Sequence, residues 1–65
     1  MTDRLSTRER QMAELVAQGK TNIQIAATLH LSHGTVKEYL NRTYHKLHLR
    51  NRTDLAIWWM GHREA

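Results

Sequence analysis

The apolar residues of this chain fall into four blocks at helical spacing, each bounded by residues that start or stop a helix. In the longest block, Val36, Leu40, Thr43 and Leu47 follow at steps of four, three and four, which keeps them on one side of a helix. The other side carries Gly34, Lys37, Glu38, Asn41, His45 and His48, small or polar groups open to a charged partner. The pattern predicts a helix over 33–47 with Ser32 as its N-cap. Upstream, Ser6-Thr7-Arg8-Glu9 fits a capping box, and Met12, Leu15 and Val16 form an apolar face. Gly19 and Lys20 then supply a stop, so the first helix is expected over about 7–18. Thr21 caps a short second helix, 22–29, built on Ile23, Ile25, Ala26 and Leu29. Leu31 drops toward the core between the second and third helices, a link short enough to force a sharp crossing. Asn51 and Asp54 mark the start of a fourth helix, 52–62, whose Leu55, Ala56, Ile57, Trp58, Trp59 and Met60 are apolar almost all round. A terminal surface helix needs only one apolar face, so this one has a face to spare. The expected fold is all-α, a compact four-helix bundle forming one domain over 1–65.

Composition narrows the function. With 65 residues and no cysteine, the chain has one small core and neither disulfides nor thiolate metal sites. The absence of proline and phenylalanine, with 40% hydrophobic residues, suits helices rather than strands or a disordered tail. The net charge of +4 and a pI of about 10.1 raise a nucleic-acid partner beside the plainer reading of solubility. No apolar run reaches signal-peptide or membrane-span length, so the expectation is a cytoplasmic protein with no membrane partner.

Position then decides between these readings. Two short helices joined by a tight turn, the second with an outward polar face, form a helix-turn-helix, whose second helix enters the DNA major groove. The motifs sharpen this: Leu5-Ser6-x-Arg8-Glu9, Gly19-Lys20-Thr21-Asn22-x-x-Ile25-Ala26, Leu31-Ser32-x-x-Thr35-Val36-Lys37, Tyr44-x-Lys46-Leu47 and Arg50-Asn51-Arg52-Thr53-Asp54-Leu55-Ala56. Together they resemble the LuxR/FixJ/GerE-type helix-turn-helix domain, the output module of bacterial response regulators and quorum-sensing regulators. The resemblance covers nearly the whole chain. It implies double-stranded DNA as partner in bacterial transcription regulation, a supporting fourth helix that often pairs with a second copy, and a sensor or receiver domain ahead of the module. RNA polymerase is a further partner it allows.

The resemblance also places Lys37, Glu38 and Asn41 on base edges. Lys37 can donate to guanine O6 or N7, and Asn41 can bridge adenine N6 and N7. Glu38 either accepts from cytosine N4 or pairs with Arg42 one turn on. Thr21, Asn22, Ser32, Thr35, Arg50 and Thr53 lie at or near helix N-termini, where amides and hydroxyls hold phosphate oxygens. Ser32 and Thr21 have capping as an alternative duty. Lys46 joins Arg50 as an expected phosphate contact, and Lys20, Arg42 and Arg52 add nonspecific attraction.

The histidines at 30, 33, 45 and 48 form two pairs at spacing three, but no acidic third ligand accompanies them, so no metal is expected. Contact of His33, His45 and His48 with phosphate, strengthened as pH falls, suits them better. Trp58 and Trp59 point about 100° apart on a helix, so one is expected to seal the core and the other, with Leu55 or His62, to make a two-fold dimer contact. An enzyme is disfavoured: there is no glycine-rich phosphate loop, no paired carboxylates on one helix face and no room for a pocket, and no cofactor is implied. A small protein-interaction module presenting its tryptophan-rich fourth helix is the rival that remains.

Overall fold

A computed structural model describes residues 5–62 and contains α1 (Thr7–Ala17), α2 (Asn22–Leu29), α3 (His33–Leu47) and α4 (Arg52–His62). No strand occurs among the described residues. The bounds follow from hydrogen-bond accounting at the helix ends, where four amides or carbonyls lack an intrahelical partner. At the start of α1 the Ser6 Oγ accepts from the Glu9 amide at 3.2 Å while the Glu9 carboxylate accepts from the Ser6 amide at 2.8 Å. Thr21 and Gln24 repeat that arrangement at α2, with the Gln24 Oε1 accepting from the Thr21 amide at 2.8 Å. Ser32 caps α3, and Asn51 caps α4 by accepting from the Asp54 amide at 2.9 Å.

The C-terminal ends are equally specific. Helix α1 stops one residue earlier than the sequence pattern predicts, with Gln18 as the cap, because Gly19 takes a left-handed φ of 87°. That turn lets the Lys20 amide donate back to the Leu15 carbonyl. Helices α2 and α3 end the same way without glycine: His30 and His48 sit at φ of 59° and 57°. The Leu31 amide donates to Ala26 and the Leu49 amide to Tyr44, so each leucine after the histidine folds back onto the core.

Leu5, Met12, Ala13, Val16, Ile25, Val36, Leu40 and Leu55 form that core, with α1 along α4 and α2 along α3. Thr43 belongs to the buried face of α3, as its spacing predicts, and its hydroxyl is satisfied by donating to the Tyr39 carbonyl at 2.9 Å. Ile23 departs from the expectation: it is 67% exposed, on the side of α2 away from Ile25. Two residues apart on a helix is about 200° of rotation, so the pair cannot share a face. In α4 the buried position is Leu55, while Trp58 and Trp59 are both half-buried against the core. The expected division, one tryptophan inside and one outside, does not occur.

Candidate nucleic-acid interface

Helix α3 is held against the core by Val36, Leu40 and Thr43, which leaves Lys37, Glu38, Asn41 and His45 exposed on its outer side. Lys37 and Asn41 make no hydrogen bond or ion pair among the described residues, so their donors face solvent. Glu38 does have a partner: its carboxylate accepts from the Arg42 guanidinium at 3.2 Å, with both side chains more than 60% exposed. The same guanidinium lies 5.9 Å from the centre of the Tyr39 ring. Of the two readings open to Glu38, the pair with Arg42 is the one present in the free protein. Beyond Asn41, an open hollow is lined by Asn41, Tyr44, His45, His48 and Leu49.

The expected phosphate contacts separate into those with spare donors and those already engaged. Thr21 and Ser32 carry their caps. Thr35 is drawn into the cap too, since its hydroxyl accepts from the Ser32 hydroxyl at 2.8 Å. Thr35 therefore has a structural duty that its sequence position did not suggest. Arg50 is 89% exposed, 3.7 Å from the Asp54 carboxylate, and Thr53 is exposed on the first turn of α4. Asn22 is half-buried with its Oδ1 accepting from Arg52 at 2.7 Å.

Lys46, partly exposed near the end of α3, reaches across to α1. Its ammonium donates to Glu9 Oε1 at 2.8 Å, and Glu9 is only 4% exposed. Burial alone would raise the Glu9 pKa, but the Lys46 hydrogen bond and charge, with the Ser6 amide and hydroxyl, outweigh it and hold the carboxyl below the ordinary value. The Glu9 that closes the α1 capping box therefore also anchors the C-terminal half of α3, and Lys46 meets a protein carboxylate before any phosphate. Arg52 is likewise engaged inside the protein rather than adding to a diffuse basic surface: it donates to the Asn22 side chain and to the Lys20 carbonyl. Beside it the Tyr44 hydroxyl has a raised pKa, because burial outweighs the opposing charge and hydrogen bond of Arg52. Arg8 ties α1 to the end of α2 by donating to the Leu29 carbonyl at 3.1 Å.

His30 and His48 occupy helix-ending positions, so the pairs 30/33 and 45/48 do not project from one regular helical turn. Among the described residues no three of His, Cys, Asp or Glu gather as a ligand set.

On α4, Leu55 is a correction. It is fully buried and takes no part in any surface, because it sits in the core cluster while the other core-side residues of α4 are only half-buried. Trp58 stacks on His62 with ring centroids 4.4 Å apart, and the His62 Nδ1 donates to the Trp58 carbonyl at 2.8 Å. Trp59 lies beneath Arg10 at 5.9 Å. The apolar side chains that stand free are Ile57, 66% exposed, and Met60, 58% exposed.

Residues 3–59 match the family described as bacterial regulatory proteins, luxR family. That match covers most of the chain and spans all four helix starts. The chain belongs to the luxR family. It is 45% identical over 60 residues to an HTH-type regulator in the exeN 3′ region of Aeromonas salmonicida, covering 92% of this chain and 31% of that protein. The two-component response regulator PprB of Pseudomonas aeruginosa is 43% identical over 54 residues, 83% of this chain and 20% of that protein. The nitrate/nitrite response regulator NarL of Escherichia coli K12 is 36% identical over 56 residues, 86% of this chain and 26% of that protein. The luxR-family chain thus spans less than a third of the length of these curated relatives. Membership makes it a helix-turn-helix DNA-binding module of transcription regulation. No helix among the described residues is long and apolar enough to cross a membrane.

Proposed function

We propose that residues 1–65 form one domain that binds double-stranded DNA sequence-specifically, with α3 in the major groove. The observation that carries this is the pair of unengaged donors, Lys37 and Asn41, one turn apart on the exposed side of a helix whose other side is buried. Lys37 donates to guanine O6 or N7, and Asn41 makes a two-point contact with adenine. Glu38 restrains Arg42 and disfavours sequences that present no donor to it. Asn22, Arg50 and Thr53 contact the DNA backbone, together with Thr21, Ser32 and Thr35 at the starts of α2 and α3. Lys46 is a weaker backbone contact, since binding phosphate means sharing its charge with Glu9.

The domain binds as a two-fold dimer through α4. Ile57 and Met60 supply the centre of the contact, and Trp58, Trp59 and His62 its edge. The likeness to response regulators supports a signal-receiving domain elsewhere in the protein, cytoplasmic location, no enzymatic activity and promoter DNA as target, with RNA polymerase as a neighbour there. Selection of bound sequences from a random duplex pool tests the reading: a two-fold site with half-sites one helical turn apart is expected. Recovery of no preferred sequence, together with Ile57- and Met60-dependent capture of a protein partner, would replace it with the interaction-module reading.

A further inference from the structure

Arg52, from the first turn of α4, holds two acceptors across the fold, one at the start of α2 and one in the turn before it. It donates to Asn22 Oδ1 at 2.7 Å and to the Lys20 carbonyl in the α1–α2 turn, beside the half-buried Tyr44 of α3. Arginine presents its donors in a planar fork, so the positions of these acceptors are fixed relative to one another. For Asn22 the consequence is chemical. A carboxamide accepts only at its oxygen and donates only at its nitrogen. With Oδ1 turned inward to Arg52, Nδ2 is turned the other way. The described residues offer Nδ2 no acceptor, and none of their buried side-chain nitrogens or oxygens lacks a partner, so Nδ2 faces solvent as a free donor.

We infer that Arg52 is a positioning residue for DNA binding: by holding the Lys20 carbonyl and the Asn22 oxygen, it aims the Asn22 Nδ2 at a DNA phosphate beside the start of α2. The inference rests on the DNA-binding reading above and on Asn22 as a backbone contact. The phosphate contact is assigned to Asn22 and not to Arg52, which is half-buried with its guanidinium turned to these two protein acceptors.

The test is duplex binding by the full chain at several salt concentrations, for wild type, Asn22→Ala, Arg52→Lys and the double variant, with thermal unfolding of each. Lysine keeps the charge but cannot hold separated acceptors in a plane. Asn22→Ala should weaken binding about tenfold, the worth of one charge-assisted hydrogen bond. Arg52→Lys should weaken it by a similar factor, and the double variant by no more than either single change. None should alter the slope of log affinity against log salt, because no phosphate-neutralising charge is lost. Losses that multiply in the double variant, or wild-type affinity in Arg52→Lys, would overturn the proposal. So would a slope shallower by about 0.9 in an Arg52→Met variant, where the charge is removed, which marks a direct phosphate contact. Should Arg52→Lys not fold, side-chain NMR of the wild-type protein decides: on adding duplex the Asn22 amide protons shift and the Arg52 guanidinium protons do not, and the reverse pattern refutes the assignment. A wild-type chain that binds no duplex even at low salt contradicts the DNA-binding reading itself, whereas binding without coupling contradicts only the role given to Arg52.

Discussion

Glu9 combines three duties that a single carboxylate can meet only when ionised: it closes a helix cap, it is buried, and it anchors Lys46 from another helix. Its pKa is lower in the folded state than in the unfolded chain, so its stabilisation is complete above the unfolded value of about 4.3 and is lost as pH falls through the folded one. Lys46→Met leaves that carboxylate buried without its cation and should cost about 1–3 kcal/mol at neutral pH, the figure reduced because the lysine is partly exposed. Urea unfolding at pH 7 and near pH 3 should show the difference from wild type shrinking in acid, and an equal difference at both would argue against the pairing. At Glu38 the effect is on binding. Replacing it with glutamine frees Arg42, so DNA affinity should rise, the salt slope should steepen by about 0.9, and discrimination between sites should fall. Competition binding against a shuffled duplex measures all three.

At the scale of the element, the helix starts were legible because capping is local chemistry. Ser6 and Glu9, Thr21, Ser32, and Asn51 with Asp54 lie within one turn of the bonds they make, and α2, α3 and α4 begin and end where the sequence pattern puts them. The ends of α2 and α3 had a signal that spacing arguments passed over, the repeated Leu-His-Leu at 29–31 and 47–49. In both, histidine sits in backbone that favours glycine. His30→Gly should therefore stabilise the domain by about 0.5–1 kcal/mol, since the relief of left-handed strain exceeds the added chain entropy. A denaturation midpoint that fails to rise would mean the ring makes compensating contacts. Helix α4 was legible as an element but not in its rotation: a helix apolar all round carries no phase, so Leu55 was expected at a surface and is in the core, while Ile57 and Met60 stand outside.

At the scale of the whole molecule, tertiary cross-links were the illegible part. Arg52 and Asn22 are thirty residues apart, Lys46 and Glu9 thirty-seven, and no periodicity relates them. They join helices into a frame in which α3 shows one buried and one free side. The family match agrees with the five motifs read from the chain, and it bears on the fold and on DNA binding rather than on individual contacts. Self-association belongs to this scale as well. Ile57→Lys removes exposed apolar surface without touching the core, so thermal stability should stay within about 0.5 kcal/mol of wild type while dimerisation and affinity for a two-half-site duplex fall. Sedimentation at several concentrations, with and without duplex, distinguishes this from a monomer that needs no α4 contact.

The claim on which the rest depends is that the free side of α3 reads base sequence, and binding of Lys37→Ala and Asn41→Ala to the selected duplex and to random duplex, at matched salt, tests it most directly. Each variant should lose roughly 5- to 150-fold on the selected site, the worth of a good two-point base contact, and far less on random DNA. Equal losses on both duplexes, or none on the selected one, would contradict the account.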